Sequence, residues 1–198
     1  MQVRIGSADL DPDLRPIVVA AAPSIADDQP LETAIKQAIG QGADLVEVPV
    51  ARLDTSGAAG RRASSPAMCV SCARLDEVDR ALDAGAIAVR WVGESYQTDD
   101  VRDRLGAVPL VVSGNAAVHG ATLRSGDWWV VAWEHRHRLE GRGAGVLGLV
   151  DLGACTERAE VAAAVTVAME GRIDGFVTVA PTAARRAAHV IRAVERTR

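Results

Sequence analysis

The sequence predicts an α/β fold, a (β/α)8 barrel of the TIM type with several crossover helices shortened or missing. Three observations carry that expectation. First, a glycine closes a helix-like stretch and a β-branched run follows at once, at Gly42–Val46, Gly85–Val89, Gly106–Val112 and Gly171–Val177. Glycine just past a helix adopts the left-handed cap at little cost. A near-continuous apolar strand after it is one buried on both faces, as in a parallel sheet. Second, eight such strands can be counted along the chain. Third, helical stripes separate most of them, which is the alternation of a parallel α/β fold.

The strands are expected at Ile17–Ala21, Asp44–Val48, Met68–Cys72, Ile87–Val92, Leu110–Ser113, Trp128–Trp133, Val146–Leu152 and Gly175–Val179. Five helices are read from apolar residues three and four apart. Leu31, Ala34, Ile35, Ala38 and Ile39 mark the first, and Leu75, Val78 and Leu82 the second. Thr98-Asp99-Asp100 opens the third, with a capping hydroxyl and acids at the positive end of the helix. Val161, Val165 and Met169 mark the fourth. Ala184, Ala187, Ile191 and Val194 mark the last, which Pro181 and Thr182 begin. The remaining links hold no helical stripe. Residues 52–66 read as a mobile Gly/Ser/Ala loop, and 114–127 and 135–145 as glycine- and histidine-containing connections. Nothing resembles a linker, so residues 1–198 are expected to form one domain, short beside the roughly 250 residues usual for such barrels.

Composition removes several function classes. Apolar residues make up 48% and charged residues 24%, as in an ordinary globular chain. A net charge of −4 argues against a general nucleic-acid or anionic-membrane partner. No run of about 18 apolar residues is present to span a membrane. The start, Met1-Gln2-Val3-Arg4-Ile5-Gly6, lacks the apolar region of a signal peptide. Three cysteines fit a reduced cytosol better than a disulfide framework, so a cytoplasmic protein is expected.

Barrel enzymes place their chemistry at the C-terminal strand ends, and polar residues there are sparse. Glu47, Arg90, Glu134 and Thr178 stand near the ends of the second, fourth, sixth and eighth strands, with Ser113, Asn115 and Asp151 on neighbouring ones. Two readings are open. These residues form a polar pocket in which Glu47 and Arg90 grip a small or anionic ligand. Alternatively Glu47 and Arg90 approach within about 4 Å and fill the mouth with their own ion pair.

Other motifs favour plain structure. Cys69-Val70-Ser71-Cys72 has metal or redox spacing, but positions i and i+3 of a strand face opposite ways. A zinc ion would also need a second pair of ligands, for which Cys155, His135 and His137 are a loose set. No metal and no cofactor are expected. A histidine of Glu134-His135-Arg136-His137-Arg138 could serve as a base, though the run reads more simply as a solvated link. Gly141-Arg142-Gly143-Ala144-Gly145 fails the dinucleotide fingerprint, because a strand follows it where a helix should. Arg61-Arg62 reads as solubilising charge rather than an anion site. On the sixth strand Trp128 and Trp129 face opposite ways. One of them, with Trp133, is expected to form an apolar patch on a flank without a covering helix, a surface for a homodimer or a related barrel subunit.

In order and spacing the segments resemble dihydropteroate synthase, the pterin-binding barrel of folate synthesis. Ala21-Ala22-Pro23-Ser24 with Asp27-Asp28 resembles that family's first strand and loop. Gly42-Ala43-Asp44-Leu45-Val46-Glu47-Val48 resembles its second strand, and Val70-Ser71-Cys72 through Val89-Arg90-Trp91-Val92 its third and fourth. Gly175-Phe176-Val177-Thr178-Val179 stands at its eighth. The resemblance implies a pterin site at the barrel mouth, yet the family's functional residues are replaced. Its first-strand asparagine falls at Ala20, its third-strand aspartate at Ser71, and its fourth-strand Asn-Asp pair at Arg90 and Trp91. Its seventh-strand lysine is missing among Val150, Asp151 and Leu152, and its eighth-strand arginine and histidine fall near Thr178 and Ala180. Of the family's acids, the second-strand one persists, as Glu47. Displacing pyrophosphate from a pterin needs cationic help at the leaving group, so the expectation is a non-catalytic binding or partner protein. Asp44-Leu45-Val46-Glu47 alone also suggests a type I dehydroquinase-like lyase, but that chemistry needs a strand lysine, and Lys36 lies on the first helix.

Overall fold

Eight parallel strands close into a barrel in the computed structural model, which describes residues 3–5, 8–10, 15–21, 29–55, 67–114, 123–153, 155–171 and 173–197. A small antiparallel hairpin, β1 (Val3–Ile5) and β2 (Ala8–Leu10), precedes it and was not anticipated from the sequence. The barrel strands are β3 (Ile17–Ala20), β4 (Leu45–Pro49), β5 (Met68–Cys72) and β6 (Ala88–Trp91), then β7 (Leu110–Ser113), β8 (Trp128–Ala132), β9 (Leu147–Asp151) and β10 (Gly175–Thr178). Each pairs with the next, and β10 returns to pair with β3. All eight expected strands are present, within one residue at their ends.

The crossovers are of two kinds, full helices and reduced links. Full helices are α1 (Leu31–Gly40), α3 (Leu75–Asp83), α4 (Thr98–Leu105), α5 (Arg158–Met169) and α6 (Pro181–Glu195), with a single-turn α2 (Ala51–Thr55) after β4. Thus α2 occupies the start of the stretch expected to be a loop, and residues 56–66, with Arg61 and Arg62, lie outside the described residues. Thr98 is not the cap of α4. It lies inside the first turn, because a short 3-10 turn at Ser95–Gln97 already starts the coil and Gln97 takes the cap position. In α3 the N-cap is Arg74, and the Glu77 carboxylate reaches back to accept the backbone N–H groups of Ala73 at 2.7 Å and Arg74 at 3.1 Å.

After β8 the chain makes a 3-10 helix, Trp133–Gly141, in place of an α-helix. It covers the sheet through Leu139, which is 1% exposed. Gly148 in β9 permits this close approach, since a Cβ there would lie 3.1 Å from Leu139 and 3.3 Å from Arg142.

Parity sorts the strand residues into two cores. Ile17, Val19, Leu45, Cys69, Ala88, Val111, Trp128, Val130, Leu147, Leu149 and Val177 pack inside the barrel. Their neighbours, among them Val18, Val46, Val70, Val89, Val112, Trp129 and Phe176, pack outward against the helices. Trp128 fills much of the interior, while Ala88 and Gly175 keep other inward positions small. A Cβ on Gly175 would stand 2.3 Å from the Ile17 carbonyl oxygen, so the closing strand pair requires glycine there.

Aspartates stitch the N-terminal rim. Asp44, just before β4, accepts the Val18 N–H at 2.9 Å and pairs with Arg185 and Arg15. Asp174, before β10, accepts the Gly148 N–H at 2.7 Å and pairs with Arg142 at 3.1 Å. Asp127, before β8, accepts the Leu110 N–H at 3.2 Å and forms a buried ion pair with Arg102. Each carboxylate satisfies a strand-end donor that parallel pairing leaves over.

Candidate functional site

The strand register brings five polar side chains together at the C-terminal mouth. Glu47 of β4 lies beside Cys69, Ser71 of β5 beside Arg90 of β6, and Arg90 beside Val111 of β7. Ser113, two residues further along β7, therefore faces the same interior. Asp151, at the end of β9, lies between Ala132 and Val177.

Their contacts form one chain. Arg90 Nη1 donates to Glu47 Oε2 at 2.6 Å, and the Ser71 hydroxyl donates to Glu47 Oε1 at 2.6 Å. Arg90 Nε donates to the Ser113 hydroxyl at 2.8 Å, and its Nη2 stands 3.9 Å from Asp151 Oδ2. The pair is well removed from water, with side-chain exposures of 10% for Glu47 and 16% for Arg90. Both Glu47 oxygens and two of the three guanidinium nitrogens thus have partners within the protein. Sequence reasoning did not pick out Ser71 as a partner. The signal was available, because Ser71 shares the inward parity of Cys69 on the strand next to Glu47.

Beneath the network sits Cys69, and burial, then the Glu47 charge, pushes its thiol pKa far up. Cys72 points the other way, into the outer core, and burial raises it to about 12. The two sulfurs of the CxxC motif therefore belong to different cores. No cluster of metal-ligating side chains is found among the described residues.

Several expected site residues are elsewhere. Thr178 faces the helices, one step out of parity with inward Val177, and its hydroxyl accepts the Ala180 N–H at 3.0 Å. Glu134 is exposed on the 3-10 helix beyond the end of β8, so Ala132, level with Asp151, takes the inward place at the mouth end of that strand. Asn115 lies outside the described residues. Ala20 and Trp91 also face outward, which leaves Ala21 and Arg90 as the mouth positions on their strands.

The tryptophan patch is corrected as well. Trp128 is 2% exposed inside the barrel and Trp129 8% exposed in the outer core, where its Nε1 donates to the Gly114 carbonyl at 3.0 Å. Trp133 is partly buried against the same core. Gly114, Leu123 and the 3-10 helix after β8 contribute the cover that a missing helix was expected to leave undone.

An eight-stranded parallel barrel whose mouth carries an ion-pair network is the class of protein that this geometry defines. No family model matches the sequence, and no curated protein matches it. Among solved structures, the Yersinia pestis dihydropteroate synthase with a pterin–sulfa conjugate is similar at a TM-score of 0.71, 12% identity and 100% coverage of both chains. The Xanthomonas albilineans enzyme in complex with 7,8-dihydropteroate gives 0.69 and 18% identity, covering 98% of this chain and 99% of that one. The 7,8-dihydropteroate synthase of Vibrio fischeri gives 0.70 and 11%, over 100% and 99%. The chain has a divergent dihydropteroate synthase-like fold. No helix among the described residues is long and apolar enough to cross a membrane.

Proposed function

We propose that this chain is a non-catalytic dihydropteroate synthase-like protein, a folate-biosynthesis homologue that works as a binding or partner subunit. The observation that supports the reading is the Glu47–Arg90 contact at 2.6 Å, with Ser71 and Ser113 occupying the remaining strong positions. A mouth that satisfies its own charges has little to offer a pterin ring. The arginine, held by an acid, is also poorly placed to take up the charge of a departing pyrophosphate. Of the positions matched to the family's asparagines, third- and fourth-strand aspartates and lysine, those that face the mouth carry Ser71, Arg90 and Asp151, while Ala20 and Trp91 face outward. The test is direct. Purified protein supplied with the pterin pyrophosphate and 4-aminobenzoate is expected to form no dihydropteroate, and measurable turnover overturns the reading.

A second reading keeps a ligand in the mouth. Asp151 is 33% exposed and its contact to Arg90 is the longest of the network, at 3.9 Å. A small anion that displaced Asp151 would meet Arg90 Nη2 directly. Calorimetric titration with pterin carboxylates distinguishes the two readings, because saturable heat that Arg90→Met abolishes favours the second.

The homodimer or related-barrel partner belongs to this proposal too, but moved from β8 to α6, where Val190 and Val194 are 60% and 48% exposed. Three unbridged cysteines fit a reducing, cytoplasmic setting.

A further inference from the structure

A groove runs along the seam between α5 and α6, and none of the mouth residues lines it. It encloses about 600 Å3, within the roughly 300–1,000 Å3 of sites that take small organic molecules. Small side chains make room for it. Ala162 of α5 and Ala183 and Ala187 of α6 line the seam, and Val190 and Ile191 add bulkier apolar surface. Val190 is 60% exposed, so the fold leaves an aliphatic group wet in a concave place.

The charge along this groove has one sign. Arg158 of α5 and Arg186 of α6 line it, and among the described residues no aspartate or glutamate does. Neither arginine has an ion pair or hydrogen bond among the described residues, although Glu157 and Glu160 are close to Arg158 along the chain. Two of the hydroxyls in the lining are already used. Thr166 Oγ1 donates to the Ala162 carbonyl at 2.8 Å, and Thr182 Oγ1 to the Gln41 carbonyl at 2.8 Å. The charged donors open to a ligand are therefore the two guanidinium groups, in a chain whose net charge is −4.

We propose that this groove binds a soluble amphiphilic anion, one apolar tail of medium length carrying a carboxylate or phosphate head. The tail lies against Ala162, Ala187, Val190 and Ile191, where it removes exposed apolar surface from water. Arg158 and Arg186 take the head, since a planar guanidinium fork matches either kind of oxygen pair. An exposed arginine pairs only weakly with an anion on its own. The tail must then supply most of the affinity, which makes tail length the decisive variable. The site is independent of the reading given to the mouth, and it shares Val190 with the partner surface placed on α6.

Isothermal titration calorimetry of the full chain with decanoate, below its micelle concentration, tests this. Hexanoate, decyl phosphate, decanol and decyltrimethylammonium serve as comparisons. Saturable submillimolar binding of decanoate is expected, weakening by up to about fourfold for each methylene taken from the tail. Decyl phosphate is expected to bind as well as decanoate, and decanol and the cation about tenfold more weakly. Arg158→Gln with Arg186→Gln is expected to weaken decanoate binding about tenfold. Ala187→Glu, which sets an acid in the groove, is expected to abolish it, and Lys36→Gln, on α1, to leave it unchanged. Circular dichroism melts establish that each variant is folded. Light scattering alongside covers the shared Val190: a dimer that decanoate dissociates shows ligand and second copy competing for the groove, and supports the proposal. No saturable heat, equal affinity for decanol or the cation, or undiminished binding by the folded double variant overturns it. So does sedimentation with anionic phospholipid vesicles in place of binding to the monomeric anion. None of these outcomes bears on the mouth network.

Discussion

Glu47 shows how a single side chain can decide what a barrel mouth does. Removing it leaves Arg90 half-desolvated without its acid, so Glu47→Ala is expected to lower the unfolding free energy by about 3 kcal/mol. Replacing the pair by apolar groups, Glu47→Leu with Arg90→Met, is expected to land within about 1 kcal/mol of the native chain. Urea melts check both values, and a double variant as unstable as the sum of its singles defeats the argument. The cysteines supply a second residue-scale prediction. Cys69 and Cys72 are buried and Cys155 is partly exposed, so a thiol reagent at neutral pH is expected to label Cys155 first in the folded protein. For Cys72 the folded pKa is raised from 9.0 to about 12, so the folded state keeps a proton that the unfolded chain loses. Its contribution is therefore complete below pH 9 and fades as pH rises from there toward 12. Alkaline urea melts of Cys72→Val are expected to show a shallower fall.

At the scale of elements, the reduced crossovers matter most. The 3-10 helix after β8 works as a lid on the outer core, with Leu139 as its anchor and Gly148 as the floor that admits it. Leu139→Ala is expected to cost about 3 kcal/mol and to expose Trp129, visible as a red shift of fluorescence. An unchanged spectrum and melt would show that the segment contributes no cover. Here the limits of the sequence are plain. The eight strands were legible because runs such as Val146–Leu152 are apolar on both faces, and α1 and α6 because their stripes are regular. The 3-10 cover was not legible, since Glu134-His135-Arg136-His137-Arg138 carries no apolar period and depends on one leucine beyond it. Within the site, Glu47, Arg90, Ser113 and Asp151 could be read from their places near strand ends. Thr178 was misread because counting from strand ends is uncertain by one residue, and one residue exchanges inside for outside. The tryptophans were misread for the opposite reason: their parity was right, but the size of the barrel interior and the cover over the outer face of β8 are tertiary facts.

The whole molecule is held shut by its extremes. Gly175 to Thr178 pair with Ile17 to Ala20, and Arg185 ties α6 to the Pro16 carbonyl and to Asp44. No ring exists until those distant segments meet. Such long-range closure is slow, because the entropy of a large loop must be lost before any contact rewards it. During synthesis, then, β3 to β9 emerge as an open sheet with two bare edges, and an open parallel edge is a template for pairing with another chain. A fragment ending at residue 170 is accordingly expected to aggregate, and addition of a synthetic peptide covering 171–198 to restore a discrete, non-aggregating species in size-exclusion chromatography. The late-arriving strand is thus a chaperoning problem for the cell: until the ribosome has released it, the protein's own unfinished edge is its most reactive surface.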